Sequence, residues 1–197
     1  MEIDETKLNN YIKIYNNFLP KNIHKNYIKY VNSIEKFHPG KISGEVNEEQ
    51  QIKKTIRDVL TFICKNSDEE KSFTNLHWTN FILHSFTNKI EDYFLNFNLS
   101  NKLKIHDLEI LKYSIGGHYN LHSDNCYKFP RSLSFIYLIN DDYEGGDLIF
   151  FSPVSNKEIK IKTEKNTLII WPSNFLYPHA VTPVTAGVRY SVVAWAS

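Results

Sequence analysis

The sequence predicts an α+β chain in which helices come first and a double-sheet jelly roll second. Three observations carry this reading. Apolar residues recur at helical spacing before about residue 100, short β-like runs divided by turn chemistry fill the chain from Lys104 onward, and 13 Phe, 12 Tyr and 3 Trp suit a compact fold rich in strands. At 197 residues one domain with a sizeable core is expected, spanning 1–197, with 1–100 as mainly helical support and 103–197 as the β core.

Taken in order, YIKIYNNFL (Tyr11 to Leu19) alternates well enough for a strand, and Pro20 suits the first turn of a helix that reaches about Ile34. Ile23, Tyr27, Ile28 and Val31 recur at helical spacing there, and Pro39-Gly40 breaks the pattern. Lys41 to Glu48 reads as loop. A second helix is expected from about Glu49 to Cys64, with Ile52, Ile56, Val59, Leu60 and Ile63 on one face and Lys53, Lys54 and Arg57 on a solvated one. After the polar stretch KNSDEEKS, a long amphipathic helix carries Trp78, Phe81, Ile82, Ser85, Phe86, Ile90, Tyr93 and Phe94, a stripe suited to packing on a sheet. The strands follow as IHDLEILKYS, RSLSFIYLIN, GGDLIFF, KEIKIKT, NTLIIWP, YPHAVTPV and VRYSVVAW. Asp141 to Gly146 supplies a turn, and Asn156 and Asn166 mark further reversals. In KEIKIKT, Ile159 and Ile161 share one face while Lys160 and Lys162 guard the other, as suits an exposed strand.

Composition narrows the function classes. Lys and Arg total 23 against 22 Asp and Glu, so there is no field to gather phosphate backbones or anionic lipid, and an obligate nucleic-acid or membrane partner is disfavoured. Cys64 and Cys126 do not make a disulfide framework, and a reducing, cytoplasmic setting is the default expectation. The start, MEIDETKLNN, lacks the basic and apolar regions of a secretory signal, and no apolar run reaches membrane-spanning length.

The chemistry concentrates at His122-Ser123-Asp124 and His179. Two imidazoles and one carboxylate on one face of an octahedral Fe(II) leave three positions open for a bidentate ligand and dioxygen. An H-x-D pair on extended chain points both ligands to one side, and the third must come from another strand. The triplet alone is more often a surface or capping cluster than a metal site. Ten residues after His179, Arg189 sits in the otherwise apolar strand VRYSVVAW, where an unpaired cation would be costly, so it calls for an anionic partner. Ser191, two residues on, shares its face and can donate to the same carboxylate. Gly116-Gly117 allows a tight turn between the Leu108 to Tyr113 strand and the ligands. Tyr113 is then either a pocket phenol donor or a core tyrosine.

LKYSIGGHYNLHSD, EGGDLIFF and NFLYPHAVTPVTAGVRYSVVAW resemble the catalytic domain of the prolyl 4-hydroxylase group of Fe(II)/2-oxoglutarate-dependent dioxygenases, over roughly Leu103 to Ser197. The resemblance implies a cupin-like double-stranded β-helix flanked by helices. It implies His122, Asp124 and His179 as catalytic iron ligands, Arg189 on the distal carboxylate of 2-oxoglutarate, and Tyr113 as helper. Dioxygen is the oxidant it implies and ascorbate the reductant. Where one branch of the group carries a second co-substrate tyrosine, this chain has Leu138, with Tyr137 on the other face. Arg131 matches a family arginine near the substrate cleft, and is equally readable as a rim residue.

Three functions follow from this. The favoured one is hydroxylation of prolyl residues in a peptide or protein, releasing succinate and CO2. A second keeps the cofactors but takes a free amino acid or other small molecule. Alkylated bases are disfavoured within it because RYSVVAW lacks a second arginine, and Asp124 argues against halogenation. The third is a non-catalytic binding or sensing module, against which the intact ligand set speaks. Phe135, Ile149, Phe151, Ile169 and Trp171 are expected in wall or core. Cys126 is expected to be packed, and His118 to be a loop histidine.

Overall fold

The fold was examined in a computed structural model, which describes residues 8–42, 50–64, 72–98, 102–128, 130–153, 155, 157–161 and 164–197. Among the described residues the named elements run β1 (Lys13–Tyr15), α1 (Lys21–Asn32), β2 (His38–Pro39), β3 (Arg57–Asp58), β4 (Leu60–Ile63) and α2 (Phe73–Asn96). Then come β5 (Ile105–Tyr113), β6 (His118–His122), β7 (Leu133–Leu138), β8 (Glu144–Gly145) and β9 (Leu148–Phe151). Last are β10 (Glu158–Lys160), β11 (Thr167–Pro172), β12 (His179–Val181), β13 (Val184–Ala186) and β14 (Arg189–Ala196).

The strands form a seven-stranded sheet in the order β1-β11-β7-β14-β5-β4-β2, facing a five-stranded sheet β10-β9-β12-β6-β3, with β13-β8 as a separate pair. Every pairing is antiparallel. This is the jelly-roll, double-stranded β-helix predicted from the sequence.

The larger sheet is buried on both faces. Phe135 and Tyr137 of β7, Leu168 and Ile170 of β11, and Val192 and Ala194 of β14 point to the helices, where Tyr27 of α1 and Ile82, Phe86 and Ile90 of α2 meet them. Their neighbours Ile136, Leu138, Ile169, Trp171 and Val193 point the other way, into the space between the sheets, and meet Leu148, Phe150 and Val181. Since side chains alternate along a strand, a strand packed on both faces must be apolar throughout, and β7 is buried at all six positions. Tyr137 on the helix side reaches His24 Nδ1 at 2.6 Å and Asn166 Oδ1 at 3.1 Å. Asn166, in left-handed backbone at φ 58°, accepts from the Leu19 amide and donates to the Leu19 carbonyl, fastening the entry to α1.

Most expected elements formed, but the helix from Glu49 to Cys64 did not. Arg57 to Ile63 instead forms β3 and β4, on the edge of one sheet and inside the other, so the chain crosses between sheets at Val59. Thr55, Ile56, Val59, Thr61 and Ile63 are β-branched, and pairing of β4 with β5 and of β3 with β6 overrides the helical spacing; Ile52, Ile56 and Ile63, expected on one apolar face, are exposed. The N-terminal segment thus supplies strands as well as helices. Arg57, expected on a solvated face, is 9% exposed. Most of the loop expected from Lys41 to Glu48, together with Asn156 and Lys162, lies outside the described residues. Edge strand β10 keeps its lysine guard at Lys160, which pairs with Asp147 at 2.7 Å. Among the described residues no helix is long and apolar enough to cross a membrane.

Candidate active site

Antiparallel pairing of β12 with β6 sets His179 directly opposite His122, and pairing of β14 with β5 sets Arg189 opposite Tyr113. Residues 57 and 76 positions apart are thereby brought together by register alone. His122 ends β6, and the chain bends so that Asp124 turns back toward both imidazoles. Gly116, at φ 83°, makes the turn from β5 to β6 that the paired glycines predicted.

His122 Nε2 is 3.5 Å from Asp124 Oδ1, and His179 Nε2 is 3.5 Å from Asp124 Oδ2. One ligand atom from each of the three lies within 4.8 Å of the others. Both imidazoles are fixed from behind: His122 Nδ1 is 2.8 Å from the Asn120 carbonyl and His179 Nδ1 is 3.0 Å from the Tyr177 carbonyl. A carbonyl can only accept, so each Nδ1 carries a hydrogen and Nε2 is the nitrogen of each ring turned to the triad centre. Burial, partly offset by Asp124, brings His179 down to about 4, so the ring is neutral at neutral pH, as a ligand must be. Burial alone would raise the Asp124 carboxyl, but the His179 imidazole and hydrogen bonds with His122 and Ser134 outweigh it and hold the group well below the usual carboxylate range. Two imidazole nitrogens and a carboxylate converging on one point fit a divalent iron. Tyr119 stacks on His122 with ring centroids 3.6 Å apart, and Trp171 meets His179 edge-on at 5.0 Å.

Arg189 is fully buried. Its Nη1 donates to Ser191 Oγ at 3.1 Å and its Cζ lies 5.1 Å from the centre of the Tyr113 ring. Nε and Nη2 find no hydrogen-bond partner among the described residues. A buried guanidinium with two free donors is what a site for a carboxylate requires. Tyr113, fully buried as well, is pushed up by burial, so its phenol keeps its proton. Gly146, at φ 60°, makes room for the cation, for a Cβ there would stand 2.8 Å from Arg189 Cδ.

The triad opens into a cavity of about 720 Å³. Its inner wall includes Tyr113, Leu148, Trp171, Val181 and Val193, and its outer reach passes Arg57, Glu109, Arg131 and Trp195 to Lys36, His38, Pro39, Gln50 and Ile52. Tyr113, on this wall, lies with its ring centre 5.1 Å from the Arg189 guanidinium. Of the residues expected in wall or core, Trp171 lines the cavity, Ile169 packs between the sheets, and Phe135 is in the core on the helix side, its ring stacked on Phe86. On β9 the inward positions are Leu148 and Phe150, which leaves Ile149 and Phe151 on the opposite face. Cys126 is exposed, not packed, and His118 is on β6, not in a loop, with Nδ1 3.0 Å from the Gly116 carbonyl.

Besides Arg131, which the sequence singled out, the site draws on Arg57, Glu109, Ser134 and Ser173, which it did not. Arg57 pairs with Glu109 at 3.6 Å, donates to the Lys41 carbonyl and lies 5.0 Å over the Tyr119 ring. Arg131 stacks 3.8 Å from the centre of Trp195, pairs with Asp107 at 3.7 Å and donates to the Asp124 carbonyl, on the cavity wall as its match implied. Ser134 and Ser173 touch Asp124 or each other from behind. Period-2 placement of Glu109, Leu111 and Tyr113 on one face of β5 was the available signal for Glu109. Nothing marked the serines.

Fold and triad define a jelly roll with a facial two-histidine, one-carboxylate site. Residues 108–197 match the family model described as the 2OG-Fe(II) oxygenase superfamily. Among curated proteins, a PKHD-type hydroxylase of Synechococcus sp. (strain CC9902) is 35% identical over 96 residues, 47% of this chain and 41% of that protein. Another, of Prochlorococcus marinus (strain NATL2A), is 35% identical over 119 residues, 54% of this chain and 52% of that protein. The chain thus spans about half the length of the curated relatives it matches. Among solved structures, a prolyl hydroxylase from Trichoplax adhaerens, in complex with a hypoxia inducible factor oxygen degradation domain peptide, superposes with a TM-score of 0.70 at 23% identity, covering 98% of this chain and 86% of that one. A Pseudomonas putida prolyl-4-hydroxylase gives a TM-score of 0.68 at 17% identity, covering 98% and 95%. Residues 108–197 thus carry the 2OG-Fe(II) oxygenase pattern, on a fold similar to that of the two prolyl hydroxylase structures.

Proposed function

We propose that the protein is an Fe(II)- and 2-oxoglutarate-dependent hydroxylase that oxidises prolyl residues in a peptide or protein. His122, Asp124 and His179 hold the iron, and Arg189, with Ser191 and Tyr113, holds the distal carboxylate of 2-oxoglutarate. When bound, this pair supplies the oxidising power: dioxygen is consumed, 2-oxoglutarate leaves as succinate and CO2, and a C–H bond of the substrate becomes C–OH. The chain's own part is geometric and electrostatic. Backbone carbonyls keep both imidazoles in the ligating tautomer, Asp124 stays ionised, and Leu148, Trp171, Val181 and Val193 keep the reaction space apolar and dry.

The observation that carries the peptide substrate is the cavity. At about 720 Å³, reaching from the triad out to Lys36, Pro39 and Ile52, it exceeds what 2-oxoglutarate and a free amino acid would fill. The PKHD-type and prolyl hydroxylase likenesses support the same substrate class. Ascorbate as reductant and a cytoplasmic setting complete the proposal, the latter supported by the free thiols Cys64 and Cys126.

Incubation with proline-rich peptides, Fe(II), 2-oxoglutarate and ascorbate, followed by mass spectrometry, is the test. A gain of one oxygen on proline is expected. Succinate formation with free proline or another small molecule, and no gain on any peptide, would move the substrate to the small-molecule class. Lack of succinate under every condition would favour a binding module.

A further inference from the structure

Behind Asp124 lie two hydroxyls. Ser134 on β7 and Ser173 just beyond β11 are each 1% exposed and absent from the cavity wall, so neither meets substrate. Ser134 Oγ stands 2.7 Å from Asp124 Oδ2 and 2.7 Å from Ser173 Oγ. The direction of both bonds follows from donor chemistry. An ionised carboxylate only accepts, so the one hydrogen of Ser134 goes to Asp124, and the hydrogen between the hydroxyls comes from Ser173. The backbone ties the same segments together. The Asn125 amide donates to the Ser173 carbonyl at 2.9 Å, and the Ser173 amide donates to the Ser132 carbonyl at 3.0 Å.

We propose that Ser173 and Ser134 form a hydroxyl relay that selects which oxygen of Asp124 binds the metal. Oδ2, 3.5 Å from His179 Nε2, spends one lone pair on Ser134, while Oδ1, 3.5 Å from His122 Nε2, has no hydroxyl behind it and is the stronger donor to the ion. The carboxylate is then a one-oxygen ligand in a fixed rotamer, and it does not spread over positions that co-substrate and dioxygen need. Apolar residues would fill two such buried positions at lower desolvation cost, so the hydroxyl pair is explained by what it does to Asp124 more than by the core. Ser134 and Ser173 are positioning residues, and the inference rests on the iron site proposed above.

The test is calorimetric titration of the metal-free protein with Mn(II), alongside its thermal midpoint without metal. Ser134→Ala is expected to weaken Mn(II) binding roughly tenfold or more. Ser173→Ala should weaken it about threefold, because the Ser134 bond survives and loses only the reinforcement of its neighbour. Ser134→Thr, which restores the hydroxyl, should recover most of the affinity. A purely packing role would lower the thermal midpoint and leave affinity alone. Wild-type affinity in Ser134→Ala, or a larger loss in Ser173→Ala than in Ser134→Ala, overturns the relay. If Ser134→Ala does not fold, Ser173→Ala decides: weaker binding at an unchanged midpoint supports the relay, and wild-type binding overturns it. If the wild-type protein itself takes up no Mn(II), the iron reading falls and the relay with it.

Discussion

Replacing Arg189 with methionine should separate ligand binding from stability in opposite directions. The guanidinium is fully buried, with one bond to Ser191 and two donors, Nε and Nη2, that find no partner among the described residues. Two charge-assisted hydrogen bonds to a carboxylate contribute about 1.5–3 kcal/mol each, hence about 3–6 kcal/mol together. At about 1.4 kcal/mol per tenfold, the loss is roughly 10²- to 10⁴-fold in 2-oxoglutarate affinity. Without ligand the account reverses, since an under-bonded buried cation costs stability and methionine fills much of the same volume. The metal-free midpoint of Arg189→Met should therefore be no lower than that of wild type. Anaerobic titration of the Fe(II) protein with 2-oxoglutarate, read by the charge-transfer absorption, measures the first quantity, and calorimetric melting the second. A dissociation constant within about threefold of wild type, or a midpoint several degrees lower with ligand affinity intact, would refute the assignment of Arg189 as a cation held for a ligand.

Other consequences are sharper in sign than in size. Asp124→Ala should abolish metal uptake and succinate production together, and succinate at wild-type rate would contradict the triad. Gly146→Ala places a Cβ 2.8 Å from Arg189 Cδ at a residue with φ 60°, so it should cost about 1–2 kcal/mol of stability and raise the 2-oxoglutarate requirement; an unchanged requirement would mean the cation can move freely. Tyr137→Phe removes a hydroxyl bonded to both His24 and Asn166, and at about 1–3 kcal/mol it should lower the midpoint by several degrees while leaving metal affinity alone. Burial foremost, with Lys165, lowers the His24 pKa from 6.5, against a smaller opposing pull from Asp141. The unfolded chain then binds the extra proton first, so this contribution to stability is present above about pH 6.5 and is lost as the pH falls below it. The midpoint of His24→Gln should decline less between pH 7 and 5 than that of wild type, and equal declines would remove His24 from the acid response.

How much of this was legible depended on whether a residue's role was local. Arg189 and Ser191 could be read because strand periodicity places i and i+2 together and an arginine in an apolar strand demands a partner, while His122, Asp124 and His179 stood out by residue type and by the ordered motif around them. Tyr137 was rightly set on the far face by the same rule. What failed was the segment 49–64, where helical and strand patterns overlap and the decision came from β5 and β6, strands some fifty residues away. The error carried Arg57 with it, from a solvated face to a buried pair with Glu109. Ser134 and Ser173 were invisible for a related reason: a serine in an apolar strand announces nothing until its neighbour across the barrel is known.

Along β14 the alternation has a further consequence. Arg189, Ser191, Val193 and Trp195 look into the barrel, while Tyr190, Val192, Ala194 and Ala196 look toward the helices. Chemistry and scaffolding are thus interleaved on one thread, each on every other residue. Odd positions can drift toward a new co-substrate or peptide without unseating the helices, and even positions can be repacked without disturbing the reaction space. A single inserted residue, by contrast, would exchange the two messages at once, so this strand should tolerate substitution far better than any change in length.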